Sequence, residues 1–160
     1  MNIIGTRGSI RAFAGLCIAA ALVGCASAPK PTQVTGGSIE GSAQLNLSVS
    51  KRPSPLLLRV YELKSATALN SADFITLYQR DTTELAADIV SREEITLAPG
   101  ETRPIAAKTL APEVKFIAVM GAFRELERAQ WRSVAPVLPG QKQRIVIHAD
   151  SLAVSVTVSK

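Results

Sequence analysis

The chain has 160 residues, 18 basic against 13 acidic, a formal net charge of +5 and two cysteines. That length supports one domain with a single core. The basic residues are scattered along the chain, which argues against a nucleic-acid-binding role, and no His, Cys, Asp or Glu cluster has metal-ligand spacing.

Residues 1–24 read as a secretory signal. Arg7 and Arg11 are the charges of a positive first region. The apolar run 12–23 is too short for a stable membrane helix and suits the hydrophobic part of a signal. Leu22-Val23-Gly24-Cys25 closes it. A small residue before a cysteine is the pattern of a lipoprotein cleavage site, where the thiol takes a diacylglyceryl group and the freed amine is acylated in turn. The mature protein is therefore expected to begin at Cys25, lipidated and facing an extracytoplasmic space. Cys17 leaves with the signal, so the folded domain holds no thiol, no disulfide and no cysteine nucleophile. The remaining charge is +3, as 16 basic residues stand against 13 acidic ones.

Residues 25–41 are rich in Ala, Pro, Thr, Gly and Ser, with Pro29, Pro31, Gly36 and Gly37. They read as a flexible tether, with a reach of roughly 20–25 Å. Residues 42–160 then read as the folded domain. Leu45, Leu47 and Val49 alternate with Asn46, Ser48 and Ser50, the period of a strand. Pro53 and Pro55 interrupt it. A strand is expected over 56–63, a short one over 95–97 before the Pro99-Gly100 turn, and a long apolar one over 114–123. Further strands are expected over 144–148 and 152–159, where Leu152, Val154, Val156 and Val158 alternate with small or polar residues. Residues 71–78 break the pattern. Ser71 can cap a helix that sets Phe74, Leu77 and Tyr78 on one face, and 85–90 is expected to form a second short helix. Several closely spaced strands with a small helical insertion predict a mainly β protein, a β-sandwich.

Catalytic groupings are scarce. The single histidine, His148, lies in a strand, Glu93 and Glu94 point to opposite faces of theirs, and no Gly-x-Ser-x-Gly elbow or phosphate loop occurs in the domain. The chain is not expected to be an enzyme, and no small-molecule substrate or cofactor is expected beyond the lipid on Cys25. Trp131 reads either as a packing anchor at the start of a strand or as a binding hot spot. Residues 50–55 carry Lys51 and Arg52 and are stiffened by prolines. They read either as a solubilising hairpin connection or as a docking loop that loses little entropy on binding.

Several short segments stand in order behind the lipoprotein motif. They are Arg52-Pro53-Ser54-Pro55, Leu58-Arg59-Val60-Tyr61-Glu62-Leu63-Lys64, Ala72-Asp73-Phe74 with Leu77, Leu97-Ala98-Pro99-Gly100, and Phe123-Arg124 with Ala129-Gln130-Trp131-Arg132. Together they make the chain resemble the outer-membrane lipoproteins of the bacterial type VI secretion system, the TssJ family. The resemblance implies a transthyretin-like two-sheet sandwich with a helical addition and no enzymatic activity. It implies acyl chains in the outer membrane, a domain facing the periplasm, and docking to the periplasmic C-terminal domain of the inner-membrane protein TssM. The loop implicated in that docking maps to Ser48, Val49, Ser50, Lys51, Arg52, Pro53 and Ser54. The family's Asn-Pro-Asp at the start of this loop is replaced by Asn46-Leu47-Ser48, which assigns Asn46 to the first strand. Ala26, after the lipidated cysteine, permits transfer to the outer membrane. The alternative reading is a small-ligand-binding or accessory envelope lipoprotein on the same sandwich.

Overall fold

The computed structural model describes residues 29–160. The signal segment 1–24, Cys25 and the first residues of the expected tether lie outside the described residues. In chain order the elements are β1 (Gln33–Gly41), β2 (Leu56–Leu63), α1 (Thr67–Ser71), α2 (Phe74–Glu84), β3 (Ile89–Leu97), β4 (Thr102–Ile105), β5 (Lys108–Thr109), β6 (Phe116–Gly121), β7 (Arg132–Pro136), β8 (Lys142–Ala149) and β9 (Val154–Ser159). One sheet runs β4-β1-β8-β9, with β5 against the start of β1, and the other runs β3-β2-β6-β7. The two pack face to face as a β-sandwich, as the alternating strands predict. Among the described strands only β1 and β8 pair in parallel, and a single parallel bridge joins Gln130 to Ala153.

Alternation in β2 explains how one sheet is covered on both sides. Leu56 and Leu58 face the interior between the sheets, together with Ile95, Leu97, Ile117 and Val119 from the same sheet and Ile39, Ile145, Ile147, Val154 and Val156 from the other. Tyr61 and Leu63 face outward and join Ala118 and Met120. Leu69, Leu77 and Leu85 of the helical insertion close over this outer face. A strand buried on both faces loses the polar half of its pattern. That is why 114–123 reads as a long apolar run, broken only by Lys115, although its ladder covers only β6.

Four expectations are corrected. Residues 33–41 are a strand, so the tether ends before Gln33 and the domain does not begin at residue 42. The glycines that suggest a linker serve the sheet. A Cβ on Gly37 would lie 1.8 Å from the Ile145 carbonyl oxygen, and Gly36 takes φ +133° at the register shift between β1 and β8. Residues 42–50 are turns rather than a strand, because the chain must cross there from one sheet to the other. The helix is capped by Asp73, whose carboxylate accepts the Thr76 N–H at 3.0 Å, and not by Ser71. Residues 85–90 form no second helix: Leu85 ends α2 and β3 starts at Ile89.

The insertion is bolted to the sheet by ion pairs. Asp81 of α2 accepts hydrogen bonds from Tyr61 Oη (2.7 Å) and Arg92 Nε (2.7 Å), and lies 3.3 Å from Arg59 Nη1. Glu94 takes Arg59 Nε at 2.9 Å and Arg92 Nη2 at 2.8 Å. Arg59 also donates to the Leu77 and Tyr78 carbonyls, and Arg132 to those of Leu69 and Ala72 near the end of α1. The Leu69 and Ala72 carbonyls lie at the end of α1 and those of Leu77 and Tyr78 just before a break in α2 at Arg80 (φ −142°), where a helix leaves acceptors unpaired. Trp131 is half-buried, edge-on to Phe74 at 5.4 Å and beneath the Arg132 guanidinium at 4.5 Å, so the packing reading of this residue describes its place.

Candidate docking pole

β1 divides the molecule into two ends. Its start, Gln33, lies where the chain enters the sandwich, and its end, Gly41, leads into the connection 42–55. Nine strand residues put these ends on the order of 25 Å apart. The residues expected to dock a partner thus lie at the pole remote from the N-terminal segment.

Backbone bonding shapes this pole. The Asn46 and Leu47 N–H groups donate to the Asp150 and Ser151 carbonyls, tying the connection to the turn between β8 and β9. The Asp150 carboxylate accepts the Ser42 hydroxyl at 2.6 Å and the Ser151 N–H at 2.7 Å; these bonds hold its pKa below the usual carboxylate range. Asn46 is not a strand residue. It has φ +48°, is buried, donates from Nδ2 to the Pro55 carbonyl (2.9 Å) and accepts the Arg124 N–H on Oδ1 (2.9 Å). Asparagine tolerates that backbone conformation, and its amide here joins two loops remote in sequence.

The seven expected docking residues divide by role. Ser54 is buried and donates its hydroxyl to the Asn46 carbonyl at 2.8 Å, so it supports the loop from within. Ser48 accepts the Lys51 N–H on its carbonyl at 2.7 Å, donates its own N–H to the Arg52 carbonyl, and closes the turn; Lys51 takes φ +56°. Val49 is 86% exposed at the tip, and Ser50, Lys51, Arg52 and Pro53 are exposed beside it. Ser48, Ser50, Arg52, Pro53, Ser54 and Pro55 line a shallow depression of about 520 Å³, and Arg124 completes it from the connection after β6. Among the described residues, Lys51, Arg52 and Arg124 enter no ion pair. Asn46 and Arg124 are the members of this pole that sequence reasoning missed. The tolerance of asparagine for positive φ was a signal for the first, and the second stood in the sequence only within the Phe123-Arg124 segment, with no sign of its place at this pole.

Asn46→Ala is expected to cost about 1–3 kcal/mol of unfolding free energy, since it strands the Pro55 carbonyl and the Arg124 N–H and strains the backbone. Urea titration of wild type and variant checks this, and coincident midpoints would show that the asparagine does not hold the pole.

His148 lies exposed on the outer face of β8, its Nδ1 4.0 Å from Glu40. Among the described residues no group of three His, Cys, Asp or Glu is placed to hold a metal, and no helix is long and apolar enough to cross a membrane. The pole offers exposed cations, hydroxyls and a proline-bearing backbone.

Residues 34–152 match the family model described as type VI secretion lipoprotein, VasD, EvfM, TssJ. The chain is similar to the T6SS lipoprotein TssJ1 from Pseudomonas aeruginosa, at 32% identity and TM-score 0.75, covering 81% of this chain and 98% of that one. It shares the fold of Serratia marcescens Lip, described as a membrane bound component of the Type VI Secretion System, at 20% identity and TM-score 0.69, covering 79% and 96%. It also shares the fold of a chain in a structure described as the T6SS protein TssM C-terminal domain from EAEC, at 24% identity and TM-score 0.62, covering 76% and 98%. Among curated proteins none matches the chain.

Proposed function

The chain belongs to the type VI secretion lipoprotein family that includes TssJ, and on that premise we propose that it anchors a secretion complex to the outer membrane. In this reading acyl chains on Cys25 hold the protein in the membrane, and the domain faces the periplasm. The pole built by Ser48, Val49, Ser50, Lys51, Arg52, Pro53 and Ser54 docks the periplasmic C-terminal domain of TssM. The observation that carries the reading is the placement of this stiff, cationic pole at the end of β1 remote from the N-terminal segment. A lipid-held protein must reach inward with the end that does not face its anchor. Uncompensated guanidinium and ammonium groups at an exposed rim suit acidic groups on a partner and act mainly on the rate of association.

Calorimetry of the purified protein with the C-terminal fragment of TssM tests this. Lys51→Glu with Arg52→Glu is expected to weaken binding roughly tenfold at low salt, and wild-type affinity is expected to fall as salt rises. Both side chains are exposed and neither is ion-paired, so the melting temperature should not change. Unchanged affinity in the folded double variant rules out the electrostatic role. A deletion of residues 50–54 that still binds removes the loop altogether and moves attention to the exposed Ile75 and Tyr78 of α2.

A further inference from the structure

We propose that the opposite pole, where the chain enters the sandwich, is a second interaction surface whose partner is a layer of anionic phospholipid headgroups. The proposal rests on the lipid-anchor reading of Cys25, and its first support is reach. Four Cα–Cα steps separate Cys25 from Pro29, at most about 14 Å of extended chain. By Thr32 the chain is already fixed: its carbonyl accepts the Leu110 N–H at 2.9 Å and its hydroxyl the Gly140 N–H at 2.9 Å. A lipid on Cys25 therefore keeps this pole, and not the remote one, beside the headgroups, on seven residues that reach at most about 25 Å, where the sequence alone suggested a 17-residue tether.

The second support is charge. Lys30, Lys64, Lys115 and Lys142 are all exposed at this end. Backbone bonds gather them: Lys115 N–H donates to the Leu63 carbonyl, next to Lys64, and Lys142 lies opposite Gln33 in the ladder of β1 and β8. Their acidic neighbours are Glu113 and Asp88. At the remote pole, Lys51, Arg52, Arg103, Arg124 and Arg128 stand against Glu101, Glu125, Glu127 and Asp150, so the larger surplus of positive charge, two against one, sits at the anchored end.

The third support is the shape and chemistry between the lysines. Pro29, Pro31, Pro112 and Pro139 rim a depression of about 550 Å³ floored by Leu110. Prolines carry no N–H, so this rim can approach a bilayer surface without stranding donors. Lysines around an apolar, rigid centre fit a headgroup layer, with the ammonium groups on phosphates. Docked this way, β1 carries the Ser48–Ser54 pole away from the membrane.

The test uses the lipidated full-length protein, purified from membranes and reconstituted into vesicles of phosphatidylcholine with phosphatidylglycerol. Lysines are methylated with formaldehyde and a reductant, and rates are read by mass spectrometry, with Lys51 as internal reference. Lys30, Lys115 and Lys142 are expected to react at least about threefold more slowly than Lys51, a difference that vanishes in pure phosphatidylcholine and at high salt. Equal rates at both poles overturn the proposal. So does protection that persists in pure phosphatidylcholine, which indicates shielding without charge, or in detergent, which indicates a second copy or another protein. The mass of the N-terminal peptide reports the acylation of Cys25 in the same digest. An unmodified cysteine refutes the anchor reading on its own, while the lysine rates decide the surface whatever that mass.

Discussion

Cys25→Ser is expected to remove the protein from the membrane fraction entirely and to abolish type VI secretion. The thiol is the only group in the Leu22-Val23-Gly24-Cys25 motif that can take a diacylglyceryl chain, and a serine hydroxyl at the same place is a far weaker nucleophile. Anchoring has a steep dependence on chain number, because each buried CH₂ contributes about 0.8 kcal/mol. One chain binds marginally and stable anchoring takes two signals, so losing the modified cysteine does not merely weaken attachment. The proposed docking pole lies at the far end of β1 from the N-terminal segment, so on this proposal the unlipidated protein should still bind TssM in solution. Radiolabelled palmitate should enter wild type and not the variant. Equal labelling of the two proteins, or secretion by a variant found only in the soluble fraction, would falsify the anchor.

Asp81→Ala is expected to destabilise the fold by about 3 kcal/mol, the lower end of what removing one partner of a buried ion pair costs. The Asp81 side chain is 7% exposed and is shared by Arg59, Arg92 and Tyr61. Without it two guanidinium groups repel each other, and Glu94, more exposed and at the edge of the cluster, offsets only part of the loss. At this domain size the melting temperature should drop by roughly 10 °C. The pH dependence has a definite sign. Burial raises the pKa of the Asp81 carboxyl, but the hydrogen bonds from Arg92 and Tyr61 and the charges of Arg59 and Arg92 outweigh burial and leave it below the usual range. The same burial, with the acceptor Asp81 beside it, pushes the Tyr61 phenol well above its usual value, so it stays a donor. A group whose pKa is lowered by folding adds stability above its unfolded value of about 3.9, and that stability is lost as pH falls through the folded value. The gap between wild type and Asp81→Ala is therefore expected to be widest at neutral pH and to close below about pH 4. Denaturant titrations at several pH values measure it. A gap that stays constant into acid would mean that Asp81 acts through packing alone.

Much of this protein was legible in its sequence, because the features concerned are local. The order of charge, apolar run, small residue and cysteine is a linear signal. Strands β2, β8 and β9 were legible, β9 by its period-two alternation, and Asp73-Phe74 with Leu77 marks the helical insertion, although its cap is Asp73, two residues after Ser71. Three things were settled only by the tertiary structure. Strand β1 has the composition of a linker, since Gly37 is there to let the Ile145 carbonyl come close, and such an approach is a property of two strands rather than one. The alternation at Leu45, Leu47 and Val49 is real but belongs to turns, because side-chain period reports which way residues point and not whether a ladder partner exists. The polar clusters came last. Arg59, Tyr61, Asp81, Arg92 and Glu94 meet from β2, α2 and β3, and Asn46 meets Arg124 across 78 positions of chain. Hydrogen bonds of that span are made by folding itself, so no local pattern encodes them, and they decide both how the helical insertion is held and which cations stand exposed beside the Ser48–Ser54 loop.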